Sequence, residues 1–263
     1  MRIISEQELR TILEKHFKWA HGNIEDGERA DLSDADLRGV NLSHKNLDGA
    51  ILNDANLTGA ILVGATFIGA NLTRINLHGA DLTTANLYGA NLTSGYLKDT
   101  NLSNAILCSA NLAKAYFQGA NLFYADIMGA NFYGADLNGA LNIDYAQWNI
   151  NTQFFSLQCP ETGSFIGWKK AYGKIVKLEI CEDALRSSAT SRKCRCSKAK
   201  VLEIQNKDGS TCNRGYVHSE HDIHFIYKVG ETVSVDNFDT NRWNECAPGI
   251  HFFITREEAL KYI

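Results

Sequence analysis

Residues 119–140 read GANLFYADIMGANFYGADLNGA, a pattern that returns every five positions. An α-helix returns about every 3.6 residues and a strand about every two, so neither element accounts for it. From Ala30 to Gly139 the chain divides without insertion into 22 such units. The central position is Leu in 18 of them and Phe67, Phe117, Ile127 or Phe132 in the rest. Ala stands two positions earlier in 17 units, usually with Asn or Asp between. Two residues that far apart on an extended chain share a face. Each unit is therefore a short extended segment followed by a turn, and successive segments stack as a coil with the large and small apolar residues inside.

Glycine suggests the number of sides. It closes 11 of the 22 units, nine of them even-numbered when counted from Ala30, with Gly64 and Gly134 in odd units. Alternate corners are thus expected to differ, one turn type needing glycine's conformational freedom. A two-sided coil is too flat to enclose leucine side chains, so the reading is twenty residues and four sides. With A(N/D)LxG-type units throughout 30–139, the chain resembles the bacterial and phage pentapeptide-repeat proteins. The resemblance implies a β-solenoid, a right-handed quadrilateral β-helix with one unit per side and five and a half coils. At about 4.8 Å per coil the rod is roughly 26 Å long.

Adding twenty predicts the outward columns. Asn71, Asn91, Asn111 and Asn131 should stack, as should Tyr96 with Tyr116, and Tyr88 with Cys108 and Met128. The last coil adds Phe123, Tyr124 and Tyr133 where earlier units carry Thr, Ser or Gly. The candidate interface is therefore Tyr88, Tyr96, Tyr116, Phe123, Tyr124, Met128 and Tyr133. Its apolar end is covered either by the chain's own C-terminal domain or by a partner. Units opening at Gly95 and Thr100 lack the usual Ala and read as tolerated substitutions.

The flanks are different material. Residues 1–29 carry 5 basic and 6 acidic residues, 30–139 carry 5 and 9 with no Glu, and 150–263 carry 16 and 14. Residues 1–29 form an N-terminal capping helix and lead-in. Ser5-Glu6-Gln7-Glu8 is a capping-box pattern. Leu9, Ile12, Leu13, Phe17 and Ala20 fall on one helical face, Gly22 can end the helix, and this face should cover the open first coil. The pair His16 and Trp19 is similar to the lead-in of many pentapeptide-repeat proteins, and His16 is read as structural.

The β-helix is assigned to 30–149 and an α+β domain to 150–263. Strands are expected over 175–180, 201–204, 225–229, 232–235 and 250–254. Asp208-Gly209 is a hairpin-type turn, and Thr255–Glu258 a second capping box opening a short helix. The phrases CPETGSFIGWKK, ATSRKCR and NECAPGIHFFITREEA resemble a domain often found after pentapeptide repeats. That resemblance carries architecture and no chemistry.

Three constellations stand out in this domain. The run from Arg186 to Lys200 holds six basic residues and no acid. Arg186, Arg192, Lys193 and Arg195 are candidate anion ligands for a nucleotide or nucleic-acid backbone, although no Gly-rich phosphate loop accompanies them. His218, His221 and His224, with Cys194, Cys196 and Cys212, are zinc-type residues, but the spacing lacks a CxxC pair and points to no metal. Asp239, Arg242, Trp243, Glu245, Cys246 and His251 surround the Pro248-Gly249 turn. Trp243, Cys246 and His251 are a candidate pocket, read as structural and not as a nucleophile–base pair.

Seven cysteines with no signal peptide point to reduced thiols in a cytoplasm, bacterial or, for a phage protein, the host's. No run is apolar enough for a membrane span. The sequence reads as a non-enzymatic protein-interaction module, without cofactor, presenting a rigid rod and a C-terminal recognition domain. Two alternatives stand beside it. One is a phage-encoded inhibitor of a host enzyme or defence system acting by protein contact. The other is nucleotide or nucleic-acid binding through 186–200. The family resemblance also implies duplex-DNA mimicry toward gyrase, which the charge disfavours. DNA carries one charge per about 1.7 Å, so this length would need about 15, against 9 acids and 5 bases in the rod.

Overall fold

The structure, a computed structural model, describes residues 1–262 other than 24, 156, 157 and 245. The chain divides into two compact units, Met1–Ser156 and Leu157–Ile263.

In the first unit, parallel bridges step along the chain by twenty residues: Asp31 pairs with Ile51, Ile51 with Asn71, and so on to Asn111 with Asn131. Each coil thus has four sides of one unit each. All 22 central side chains are buried, none more than 4% exposed. The Asn or Asp before each has a local task. Asn76 Oδ1 accepts from the His78 backbone N–H at 3.0 Å, and Asn131 Oδ1 from Tyr133 N–H at 3.0 Å. This Asx turn bends the chain out of the strand. The corner closes when the next unit's first N–H donates to the central residue's carbonyl, as from Ala60 to Leu57 at 3.0 Å.

The expected alternation of corner types does not occur. The final residue of every unit is left-handed, with φ from +53° to +75°, and half of these residues are not glycine. One turn geometry serves all corners. At two corners a Cβ would also crowd a neighbouring side chain, Asp99 at Gly119 and His44 at Gly64. At Gly59, Gly69, Gly79 and Gly89 it would meet open space, and the left-handed φ alone favours the glycine. The units at Gly95 and Thr100 stay in register, since Tyr96 bridges Tyr116 and Asn101 bridges Asn121. Thr100 is buried with its hydroxyl donating to the Leu77 carbonyl at 2.8 Å.

Both ends of the coil are finished by non-repeat chain. A two-residue strand β1 (Arg2–Ile3) pairs in parallel with β2 (Ala35–Asp36). The helix α1 (Glu6–Ala20) starts at Ser5, whose hydroxyl accepts from Glu8 N–H, while the Glu8 carboxylate turns to Arg2. α1 is rolled relative to expectation: Leu9, Ile12 and Leu13 are half-buried, and Phe17 and Ala20 are exposed. The buried residue is His16, whose Nδ1 accepts from the Ala30 N–H at 3.1 Å. Satisfying that first-coil donor sets the roll. At the other end the ladder outlasts the repeat, with Gln147 paired to Asp126 and Gln153 to Asn131. Phe155 then stacks on Phe132 at 5.5 Å. The solenoid therefore runs a few residues past 149.

The second unit is antiparallel. β3 (Phe165–Ala171), β4 (Lys174–Ile180), β5 (Arg186–Ser188), β6 (Cys194–Cys196), β7 (Lys198–Gln205), β8 (Tyr216–His218), β9 (Ile226–Lys228), β10 (Thr232–Ser234) and β11 (Ile250–Phe252) precede the helix α2 (Arg256–Lys261). They form a four-stranded sheet of order β10-β7-β4-β3, a three-stranded sheet β11-β6-β5 and the hairpin β8-β9. Leu178, Ile180, Val201, Cys196 and Phe252 are in the core. The five strands expected from sequence are present. β3, β5, β6 and β8 add to them: β5, β6 and β8 are three residues each, too short for an alternating signal, and β3 is FIGWKKA, whose apolar residues do not alternate. Thr255 and Glu258 form the full capping box.

Candidate functional site

The four sides of the rod are chemically unlike. One carries the Asn71–Asn91–Asn111–Asn131 ladder, with Asn131 donating to Asn111 at 3.3 Å. Another carries His78, Tyr96 and Tyr116, their rings tilted against one another at 6.2 and 6.1 Å. A third is apolar. There Ile68, Tyr88, Cys108 and Met128 form one column and Ile106 stands in the column beside it. Ile68, Tyr88, Ile106 and Met128 are 38–51% exposed. No Lys or Arg occurs in the four units that build this side from Ala65 to Gly129. Burial and the Asp126 carboxylate push the Cys108 thiol up to about 11, so it is a packing group and not a nucleophile.

The apolar surface turns the next corner at the C-terminal end. Phe123 and Tyr124 meet as tilted rings at 4.4 Å, and Tyr145 joins Phe123 at 5.5 Å. Tyr133 meets Phe154 at 5.0 Å on yet another side. The seven residues expected as one interface therefore occupy all four sides, because each step of five residues turns the chain through a corner. Phe123, Tyr124, Met128 and Tyr133 are all exposed, and the rings they meet are Tyr145 and Phe154 of the same unit. Ile68 and Ile106 belong to the apolar side and escaped the sequence reading, although the addition of twenty that found Tyr88 and Met128 also finds them.

The Arg186–Lys200 run is not an open basic surface. Arg195 is buried, donating to the backbone carbonyls of Asp239, Asn241 and Pro248 with its guanidinium over the Phe238 ring. Arg186 donates to the carbonyls of Pro160, Gly163, Cys181 and Glu182. Arg192 pairs with Glu258 at 2.7 Å. These three arginines bind their own chain, as Arg does when backbone carbonyls need donors in a loop-rich unit. Lys193 lines a cavity.

That cavity has a volume of about 400 Å³. Lys169, Tyr227 and Phe225 form one part of its wall, Ser219 and His221 another, and Cys246, His251 and Tyr262 a third. Cys246 and His251 both line it, whereas Trp243 lies outside the lining, in a cation–π contact with Arg242 at 4.4 Å. Glu245 lies outside the described residues. The His251 Nε2 is bonded to the Ala247 carbonyl at 3.0 Å, and burial lowers its pKa to about 4. No hydrogen bond joins it to the exposed Cys246 among the described residues. Asp239 closes its own loop on Asn241 and Asn244. Lys169 is held at about 8 chiefly by burial, and Tyr227 is raised by burial. Among the described residues no group of three His, Cys, Asp or Glu is placed to hold a metal, and His218 Nδ1 contacts the Ile223 carbonyl.

A stacked coil of A(N/D)L units ending in a left-handed residue defines a class. The profile described as pentapeptide repeats, eight copies, matches residues 30–67, 60–99 and 85–122. The chain belongs to the pentapeptide-repeat proteins. Residues 155–259 match a second profile, described as a family of unknown function (DUF5758). No curated protein matches. Among solved structures, HetL of the cyanobacterium Nostoc, involved in heterocyst differentiation regulation, is 28% identical over 44% of this chain and 73% of its own, with a TM-score of 0.24. Another Nostoc pentapeptide-repeat protein is 31% identical over 54% of this chain and 95% of its own, with a TM-score of 0.21. QnrB1, a plasmid-mediated fluoroquinolone resistance protein, is 17% identical over 47% of this chain and 65% of its own, with a TM-score of 0.34. Among the described residues no helix is long and apolar enough to cross a membrane.

Proposed function

We propose that the protein is a non-enzymatic interaction module that binds a protein partner through the apolar side of its rod. The observation that carries this is the uncharged column of Ile68, Tyr88, Cys108 and Met128 beside Ile106, half-exposed on a rigid ladder. Soluble proteins rarely leave such contiguous apolar surface without use. Its lack of Lys and Arg disfavours a nucleic-acid backbone, which needs cations against its phosphates. A partner surface that is itself uncharged and apolar fits it best, with the tyrosine hydroxyls supplying polar contacts. A sharper form of this reading is a phage-encoded rod that inhibits a host enzyme or defence protein. The free cysteines, Cys246 among them exposed, support a reducing cytoplasm as its place of action.

A photo-reactive phenylalanine analogue at Tyr88, with Thr93 on a neighbouring side as control, tests the contact. The expected result is a crosslinked partner from Tyr88 and none from Thr93. Ile106→Lys should weaken that complex by about tenfold or more while leaving the far-UV spectrum unchanged. Equal crosslinking from both positions, or an indifferent Ile106→Lys, overturns the proposal.

A further inference from the structure

The cavity of the second unit presents two lysine ammonium groups that form no ion pair among the described residues. Lys169 extends from β3 and Lys193 precedes β6. Lys169 Nζ lies 5.7 Å from the Tyr227 ring centroid and Lys193 Nζ lies 5.6 Å from that of Tyr262. Neither ammonium makes a hydrogen bond or ion pair among the described residues. Three other lysines of the unit do have such partners: Lys174 in Asn206, Lys170 in the Tyr262 carbonyl and Lys198 in Asp183. Two acids stand near the pair without an ion pair to either ammonium: Asp222 lines the cavity and its Oδ1 accepts from the His224 N–H at 2.9 Å, and Glu220 favours the charged form of Lys169. His251 is neutral near pH 7 and adds no charge.

The rest of the lining is aromatic and hydroxylic: Phe225, Tyr227 and Tyr262 with Ser219. The volume lies within the roughly 300–1,000 Å³ range of small-molecule sites. Two ammonium groups balance a phosphomonoester, which carries about −1.5 to −2 near neutral pH, better than a single carboxylate. Ring faces offer stacking to a flat body.

We propose that this cavity binds a small aromatic phosphomonoester of mononucleotide size, with Lys169 and Lys193 holding the phosphate and the Phe225, Tyr227 and Tyr262 rings flanking the body. The site is separate from the rod face and goes beyond the interaction reading, which stands or falls independently. Burial leaves Lys169 partly unprotonated at pH 8, so it should react with amine reagents sooner than ordinary lysines. A bound phosphate should restore its charge and slow that reaction.

The test uses the full chain and three probes: adenosine 5′-monophosphate, adenosine and inorganic phosphate. Lysine reactivity is read by reductive methylation at pH 8 with mass spectrometry, and affinity by calorimetry. The monophosphate should protect Lys169 and Lys193 severalfold while leaving Lys200 and Lys207 unaffected. Adenosine should bind at least tenfold more weakly. Lys169→Met and Lys193→Met should each cost about tenfold in affinity. Unchanged reactivity of both lysines at millimolar monophosphate overturns the proposal, and this measurement needs no variant to fold. Adenosine binding as tightly as its monophosphate overturns it too. Inorganic phosphate binding as tightly as the monophosphate overturns the aromatic part and leaves a plain anion site.

Discussion

At the scale of single residues, the corners of the coil hold the least comfortable conformations in the molecule. Thr84 sits at φ +57°, where a β-branched side chain is strained. Thr84→Gly should stabilise the rod by about 1 kcal/mol, the relieved strain exceeding the entropy that glycine adds to the unfolded chain. Gly89→Ala should cost a similar amount, although open space surrounds the added methyl. Urea midpoints of the two variants check this, and equal midpoints would show that the ladder absorbs the strain. His251 makes a second residue-level prediction. Its folded pKa of about 4 lies below the ordinary 6.5, so between those values the unfolded chain binds the extra proton. Its contribution is complete above pH 6.5 and declines as pH falls toward 4, by roughly 3 kcal/mol at most. Burial shifts His16 in the same direction, so His251→Gln should remove only part of the acid sensitivity seen in denaturant titrations at pH 7, 6 and 5.

At the scale of elements, two segments are each centred on one buried polar side chain. α1 buries only His16 fully, and its Nδ1 takes the Ala30 N–H. His16→Ala leaves that donor unsatisfied and opens a cavity, so the cap should loosen by about 2–4 kcal/mol. Faster hydrogen exchange at the Ala30 amide and a red-shifted Trp19 emission would report it, whereas unchanged exchange would mean the helix is held by Leu9, Ile12 and Leu13. The loop between β10 and β11 has Arg195 at its centre, donating to Asp239, Asn241 and Pro248. Arg195→Lys cannot span those carbonyls and should destabilise the second unit by roughly 2–4 kcal/mol. The salt dependence of heparin binding should stay as it was, because this arginine does not face solvent. A flattened salt slope in a well-folded variant would restore the reading of Arg195 as an anion ligand.

At the scale of the whole molecule, the two units differ in how they are made. The rod is a sum of nearest-neighbour coils, and the C-terminal unit has a closed core of Leu178, Ile180, Val201 and Phe252. Their urea unfolding should show two transitions, one shifted by Thr84→Gly and the other by Arg195→Lys. A single transition moved by both would mean that the units fold as one. The sequence by itself determined the rod, because each unit repeats the same local code. Alanine and leucine two apart fix the inward face, the Asn or Asp between them makes the Asx turn, and neighbours in space are always twenty residues away. It did not reveal that every corner is left-handed, since Asp99, Ser109 or Lys114 in that conformation looks like any polar residue in a loop. The roll of α1 was set by a partner, Ala30, that the helical periodicity cannot register. In the second unit only the tertiary structure decided the site. Lys169, Lys193, Ser219, His221, His251 and Tyr262 lie on separate strands and loops with no fixed spacing, and only strand pairing brings them to one cavity. The same pairing turned Arg186 and Arg195, which read as a basic surface in sequence, inward to carbonyls that loop-rich packing had left without donors.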